Sequence, residues 1–121
     1  MANVFLDANA LITIIEQRPG LLLKNLDGYT LLYSPLSIHI WAYLYKSKMP
    51  QEALINFLNG LTSVNLDESI TNLALLGPTK DFEDNVQLHS AKKSDCEFFL
   101  TFDKDLLKMK KFASVKIVNN L

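Results

Sequence analysis

The sequence predicts an α/β domain, a three-layer α/β/α sandwich around a mostly parallel sheet, and three observations carry that prediction. An apolar run, Val4-Phe5-Leu6, gives way at Asp7 to helical spacing through Ala8-Asn9-Ala10-Leu11-Ile12. The same switch recurs late in the chain, where Phe98-Phe99-Leu100-Thr101-Phe102 meets Asp103 and a new helical pattern. Between the two, strand and helix patterns alternate, which implies parallel strands with helices on both faces.

The elements follow in order. A strand at Val4–Leu6 precedes a helix from Ala8 to about Gln17, broken by Arg18-Pro19-Gly20. Leu21–Leu26 reads as a short helix stopped by Asp27-Gly28, and Tyr29–Tyr33 as a strand. Ser34-Pro35 matches an N-cap with proline at the first helical position. The helix after it carries Leu36, Ile40 and Leu44 at spacing four, a stripe expected to face the core. Pro50 opens a further helix through Ala53, Leu54, Phe57 and Leu58, ending at Gly60. Ser63–Leu66 is a brief strand or extended link, and Ser69–Leu76 a helix stopped by Gly77-Pro78. The acidic stretch Lys80-Asp81-Phe82-Glu83-Asp84 opens a helix through Val86, Gln87 and Ala91, where acids suit the positive end of the macrodipole. A strand at Glu97–Thr101, a helix at Asp103–Lys108 and a strand at Val115–Val118 complete the pattern.

Composition narrows the function classes. The 121 residues read as one domain, with enough apolar side chains, at 49%, to bury a core. A net charge of −1 gives no bulk basic field, although Lys92, Lys93, Lys104, Lys108, Lys110, Lys111 and Lys116 concentrate in the last third. Those lysines are either a local phosphate-binding patch or a solvated helix face. Cys96 is the one cysteine, which excludes an intramolecular disulfide and fits a reducing compartment. No signal peptide is legible, and no apolar run approaches the roughly 18–20 residues a membrane span needs. A cytoplasmic protein with no membrane association is therefore expected.

A carboxylate at the carboxyl end of a parallel strand points into the crevice where open α/β sheets bind ligands. Asp7 and Asp103 both occupy such ends, and Asp84 adds an acid at a helix start, with Asp81 and Glu83 beside it. Clustered carboxylates hold hard divalent cations, which polarise phosphodiesters and generate hydroxide at neutral pH. Thr101 faces the same side of its strand as Asp103 and is placed to hydrogen-bond a ligand or water. Each acid also has a plain alternative as a helix cap.

Four segments then resemble a known family: Val4-Phe5-Leu6-Asp7-Ala8-Asn9, Tyr33-Ser34-Pro35-Leu36-Ser37, Asp81-Phe82-Glu83-Asp84, and Leu100-Thr101-Phe102-Asp103-Lys104-Asp105-Leu106. In order and over nearly the whole chain they are similar to the PIN domain, above all the small bacterial PIN proteins that include VapC-type toxins. The resemblance implies a PIN-like fold and a Mg²⁺- or Mn²⁺-dependent endoribonuclease, the toxin of a toxin–antitoxin pair. It further implies RNA as substrate and a small antitoxin as partner. Asp7, Asp84 and Asp103 match the first, third and fourth family acids, as catalytic and metal-binding residues. Thr101 matches the hydroxyl that accompanies the fourth acid, Asn9 is expected to orient Asp7, and Asp81 supports the site.

One departure matters. The family's second acid falls at Ile40 here, and isoleucine binds no hard cation. His39 beside it is either a nitrogen donor suited to Mn²⁺ or a packed, hydrogen-bonded helix residue. The substitution sets a second reading beside the first, a catalytically impaired PIN-like protein that binds RNA or a protein partner. Trp41, Tyr43 and Tyr45 are expected in core or homodimer packing rather than stacked on bases. Cys96 lacks a histidine partner for nucleophilic chemistry, and His89 reads as structural or surface. The absence of a Gly-rich phosphate loop argues against a nucleotide-triphosphate enzyme. A phosphorylation-dependent receiver domain is disfavoured too, since Asp7 has no neighbouring acid and residues 45–60 hold only Glu52.

Overall fold

The structure is a computed structural model that describes residues 1–21 and 23–121. Its sheet has six strands: β1 (Asn3–Leu6), β2 (Thr30–Tyr33), β3 (Thr62–Ser63), β4 (Phe98–Leu100), β5 (Lys111–Phe112) and β6 (Val115–Val118). They lie in the order β3-β2-β1-β4-β6-β5, parallel throughout except for β5, which runs antiparallel to β6. Six α-helices accompany them: α1 (Ala8–Ile15), α2 (Pro35–Tyr45), α3 (Glu52–Leu58), α4 (Glu68–Leu76), α5 (Phe82–Lys93) and α6 (Lys104–Met109).

Alternation along the strands divides the core into two layers, because successive strand side chains point to opposite faces. On one face Phe5, Leu32, Phe99 and Ile117 meet Ile70 and Ala74 of α4, Val86, Leu88 and Ala91 of α5, and Leu106 of α6. Phe5 and Phe99 are direct partners across β1 and β4, their rings stacked with centroids 5.6 Å apart. On the other face Val4, Leu6, Leu31 and Leu100 meet Ala10 and Leu11 of α1, with Ile38 of α2 and Phe57 of α3 at the margin. The result is the α/β/α sandwich.

The topology fixes where a ligand would enter. From β1 the chain runs outward through β2 and β3, then returns to place β4 on the other side of β1. The crevice beyond the carboxyl ends of β1 and β4 is therefore the switch point of the sheet. Asp7 N donates to Leu100 O at 3.0 Å and Thr101 N to Val118 O at 3.0 Å, so pairing holds up to the rim of that crevice.

Several expectations need correction. The Leu36–Ile40–Leu44 stripe meets the core only in part: Leu36 packs against it, Ile40 is partly buried and Leu44 is 62% exposed, while the buried residues of α2 are Ser37 and Trp41. Trp41 does pack in the core as expected, its indole N–H donating to Glu16 Oε2 at 2.7 Å. Tyr43 is exposed, and Tyr45 lies beneath the Arg18 guanidinium. His39 is exposed rather than packed. The expected helix at Leu21–Leu26 is a 3₁₀ turn over Leu23–Leu26, with Leu22 outside the described residues. The extended link at Ser63–Leu66 is a strand one residue earlier, at Thr62–Ser63. Strand β5 has no counterpart in the sequence reading. It turns into β6 through Ala113 and Ser114, with Ala113 at φ 53°, and no glycine or asparagine marks that turn. Among the described residues no helix is long and apolar enough to cross a membrane.

Candidate active site

Asp7 follows β1 and caps α1. Its Oδ1 accepts from Ala8 N at 2.9 Å, and its Oδ2 accepts from Thr101 Oγ1 at 2.8 Å. Only 4% of the residue is exposed. Thr101, fully buried after β4, uses its whole hydrogen-bonding capacity here. Its hydroxyl donates to Asp7, while its oxygen accepts from Asn9 Nδ2 at 3.3 Å and from Asp103 N at 3.1 Å. Asn9 Oδ1 in turn accepts from Phe102 N at 3.1 Å. Asn9 therefore orients Asp7 only through Thr101 and does not touch it. These bonds tie the end of β1 to the end of β4, which explains a shared position for two distant segments.

The other acids arrive on α5 and α6. Asp81 caps α5, accepting from Asp84 N at 2.9 Å, and Asp84 sits in the first turn, half-buried. Asp103 caps α6, its Oδ1 accepting from Asp105 N at 2.8 Å and Leu106 N at 3.0 Å. Capping is thus real for Asp7, Asp81 and Asp103, and it is what brings carboxylates to helix N-termini at the switch point. Cap and site are not alternatives in this molecule.

A cleft of about 200 Å³ opens there. Asp7, Asn9, Asp81, Glu83, Asp84 and Gln87 line it, with Ile12, Ile40 and Leu44 as its apolar side. Asp103 is not part of the lining, yet its charge is felt within. Burial pushes the Asp7 carboxyl up to about 6, opposed by the bonds from Thr101 and Ala8 and reinforced by the charges of Asp103 and Asp81. Asp84 is pushed up to about 7, first by burial and then by Asp81, Asp7, Asp103 and Glu83. Acids from three separate segments share one field. Ile40 does line the cleft, whereas His39 does not.

Two residues that sequence reasoning passed over support this site. Asn85 is buried and holds the α4–α5 connection: its Oδ1 accepts from Thr79 N at 2.8 Å, and its Nδ2 donates to Ala74 O at 2.8 Å and Thr79 O at 2.9 Å. A buried asparagine inside a helix pattern was the available signal. Gln87 is buried too, and its Nε2 donates to Ser37 Oγ at 3.0 Å. His89 is structural, 2.9 Å from Gly77 O through Nε2 and edge-on to Phe112. Cys96 is buried, with its thiol pushed up to about 11 by burial and by Asp95. Of the late lysines, Lys93 is engaged by Asp67.

Among the described residues no three His, Cys, Asp or Glu side chains are gathered into a ready cation site. The donors nevertheless fit a hard divalent cation in kind. Four carboxylates, Asp7, Asp81, Glu83 and Asp84, line one cleft, Asp103 adds charge from outside it, and Gln87 Oε1 is a buried oxygen with no hydrogen-bond partner.

The comparison with solved structures decides the fold. One chain in the crystal structure of VapBC2 from Rickettsia felis, bound to a DNA fragment from their promoter, superposes with a TM-score of 0.69. The match covers 96% of this chain and 97% of that one, at 18% identity. The fold is PIN-like. No family model matches the sequence, and no curated protein does. At that identity the likeness is one of architecture, and the roles of the cleft side chains rest on this chain's own geometry.

Proposed function

We propose that this PIN-like protein is a metal-dependent endoribonuclease that hydrolyses RNA phosphodiesters and serves as the toxin of a toxin–antitoxin pair. The observation that carries the reading is the convergence of Asp7 and Asp84 on one cleft, within reach of the Asp103 charge. Asp7, Asp84 and Asp103 would hold Mg²⁺ or Mn²⁺, and a bound cation supplies a nucleophilic water and charge stabilisation at the phosphate. Thr101 fixes the Asp7 carboxylate, and Asn9 fixes Thr101, so that the metal-facing oxygens are set before substrate arrives. Asp81 holds the first turn of α5 in place through the Asp84 amide. Lys104, which opens α6 directly after Asp103, and the exposed lysines of the last third attract the RNA backbone.

A protein partner belongs to the same proposal, since the structural neighbour is one chain of an assembly, VapBC2, on DNA. A small antitoxin covering the acidic cleft would silence the enzyme. The exposed Tyr43 and Met49 offer apolar surface for a homodimer. A cytoplasmic location and a single-domain organisation complete the proposal.

The test is cleavage of a single-stranded RNA by wild type and Asp7→Asn, each with Mn²⁺, Mg²⁺ or chelator. Cleavage by wild type that needs the metal and is lost in the variant supports the assignment. Metal-dependent cleavage that survives in Asp7→Asn removes Asp7 from the site.

Ile40 favours a second reading, in which the cleft has given up turnover and the protein acts by binding. Wild type would then bind RNA or its partner without cleaving, and Ile40→Glu would not bring cleavage back. Chelator-sensitive turnover by wild type eliminates this reading.

A further inference from the structure

Gln87 stands on α5 three residues beyond Asp84, which places both on one helix face. It is 1% exposed and lines the acidic cleft together with Asp7, Asp84 and Ile40. Its Nε2 is committed to Ser37 Oγ on α2, and that bond leaves Oε1 buried with no donor. A buried acceptor without a partner is destabilising and calls for an explanation. The surroundings sharpen the demand, because an amide oxygen carries partial negative charge and its neighbours in the cleft are carboxylates. An oxygen in that company is stabilised by a donor or a cation placed among them, and a cation would satisfy the carboxylates at the same time. From α2 the cleft receives only the apolar Ile40 and Leu44, so no charged oxygen comes from that side.

We propose that Gln87 Oε1 is a further, neutral oxygen donor of this cleft, directed to a divalent cation held by the acids. Amide carbonyls of Asn and Gln are ordinary oxygen ligands for hard divalent ions. The inference rests on the reading of the cleft as a metal site, and it adds a residue that neither capping nor strand-end position singles out. The Ser37 bond gives the amide a fixed orientation, as partners of metal-ligating groups commonly do.

Direct Mn²⁺ binding, followed by the electron paramagnetic resonance signal of the free ion, tests this without any turnover. Wild type, Asp84→Asn, Gln87→Leu and Gln87→Glu are titrated with Mn²⁺ at one pH, and each metal-free protein is melted alongside. Gln87→Leu is expected to bind about tenfold more weakly, within the range seen when groups around a metal are altered. Gln87→Glu is expected to bind more tightly, because the same position gains a charge. If Gln87→Leu does not fold, the gain in Gln87→Glu decides the matter alone. Binding that is lost in Asp84→Asn but matches wild type in both Gln87 variants overturns the role of Gln87 and leaves the metal site standing. No binding by wild type overturns both.

Discussion

The end of β1 and the end of β4 look alike in sequence, each an apolar strand closed by an aspartate that caps the next helix, yet they are physically different places. Asp7 is buried, accepts from two donors and is driven up to about 6 by its loss of water. Asp103 is half-buried, spends one oxygen on the first turn of α6 and stands outside the cleft lining. Equivalent topology therefore does not confer equivalent chemistry. What separates the two is the helix that covers them. The N-terminus of α5 brings Asp81, Asp84 and Gln87 to the cleft that Asp7 lines, while Asp103 contributes its charge from the rim.

The largest expected effect comes from Asp7→Asn. Loss of several kcal/mol of charge stabilisation leaves RNA cleavage below about one per cent of wild type. The same change should raise the melting temperature of the metal-free protein at pH 7.5, since removing a buried charge outweighs the one acceptor it gives up, the cap to Ala8 N, while the amide oxygen still accepts from Thr101. Activity and stability moving in opposite directions is the mark of a functional acid rather than a mere cap. A fall in both would leave Asp7 no more than a structural cap of α1.

Thr101→Val ranks next. The isosteric change deprives Asp7 Oδ2, Asn9 Nδ2 and Asp103 N of one shared partner, at a cost of about 2–3 kcal/mol in denaturant unfolding. Cleavage should fall about 10- to 100-fold as the Asp7 carboxylate loses its orientation. Asp103 is then probed by a pair of variants. Asp103→Asn preserves the cap and should leave stability within about 0.5 kcal/mol, whereas Asp103→Ala costs about 1 kcal/mol. Both should weaken Mn²⁺ binding if the charge at the rim matters, and equal binding in all three proteins would confine Asp103 to its cap.

The pH dependence is the mildest probe. A carboxyl with a raised native pKa binds protons more readily folded than unfolded, so stability is greatest below the unfolded value near 4 and is lost as pH rises through 6 and 7. For buried Asp7 the loss is on the order of 3 kcal/mol. Thermal melts of the metal-free protein should show this decline, Asp7→Asn should flatten it, and added Mn²⁺ should reverse it at neutral pH.

Much of this was legible because local chemistry and tertiary position agree. The β1–α1 and β4–α6 switches, the Ser34-Pro35 cap and the stop at Gly77-Pro78 are written in residue types that act over a few positions. The face presented by α2 was only partly legible, because apolar residues occupy nearly the whole helix: Leu36 packs against the core as expected, but Ser37 and Trp41 are the buried residues and Leu44 is exposed. The hairpin of β5 and β6 turns at Ala113-Ser114, residues with no turn preference strong enough to read. In the site, the acids could be named one by one, but their distribution could not. That Asn9 acts through Thr101, that Asp103 stays at the rim and that Gln87 enters the cleft all depend on how α5 packs across the sheet.

The central claim is that carboxylates from the start and the end of the chain share one field, and a carbon-13 NMR titration of the Asp84 carboxyl tests it most directly. Wild type should titrate near pH 7, and Asp7→Asn should lower that value while leaving it above an ordinary carboxylate, because burial is the larger cause. Titration of Asp84 at the same pH in both proteins would show that the two acids do not sense each other, and the account would fail.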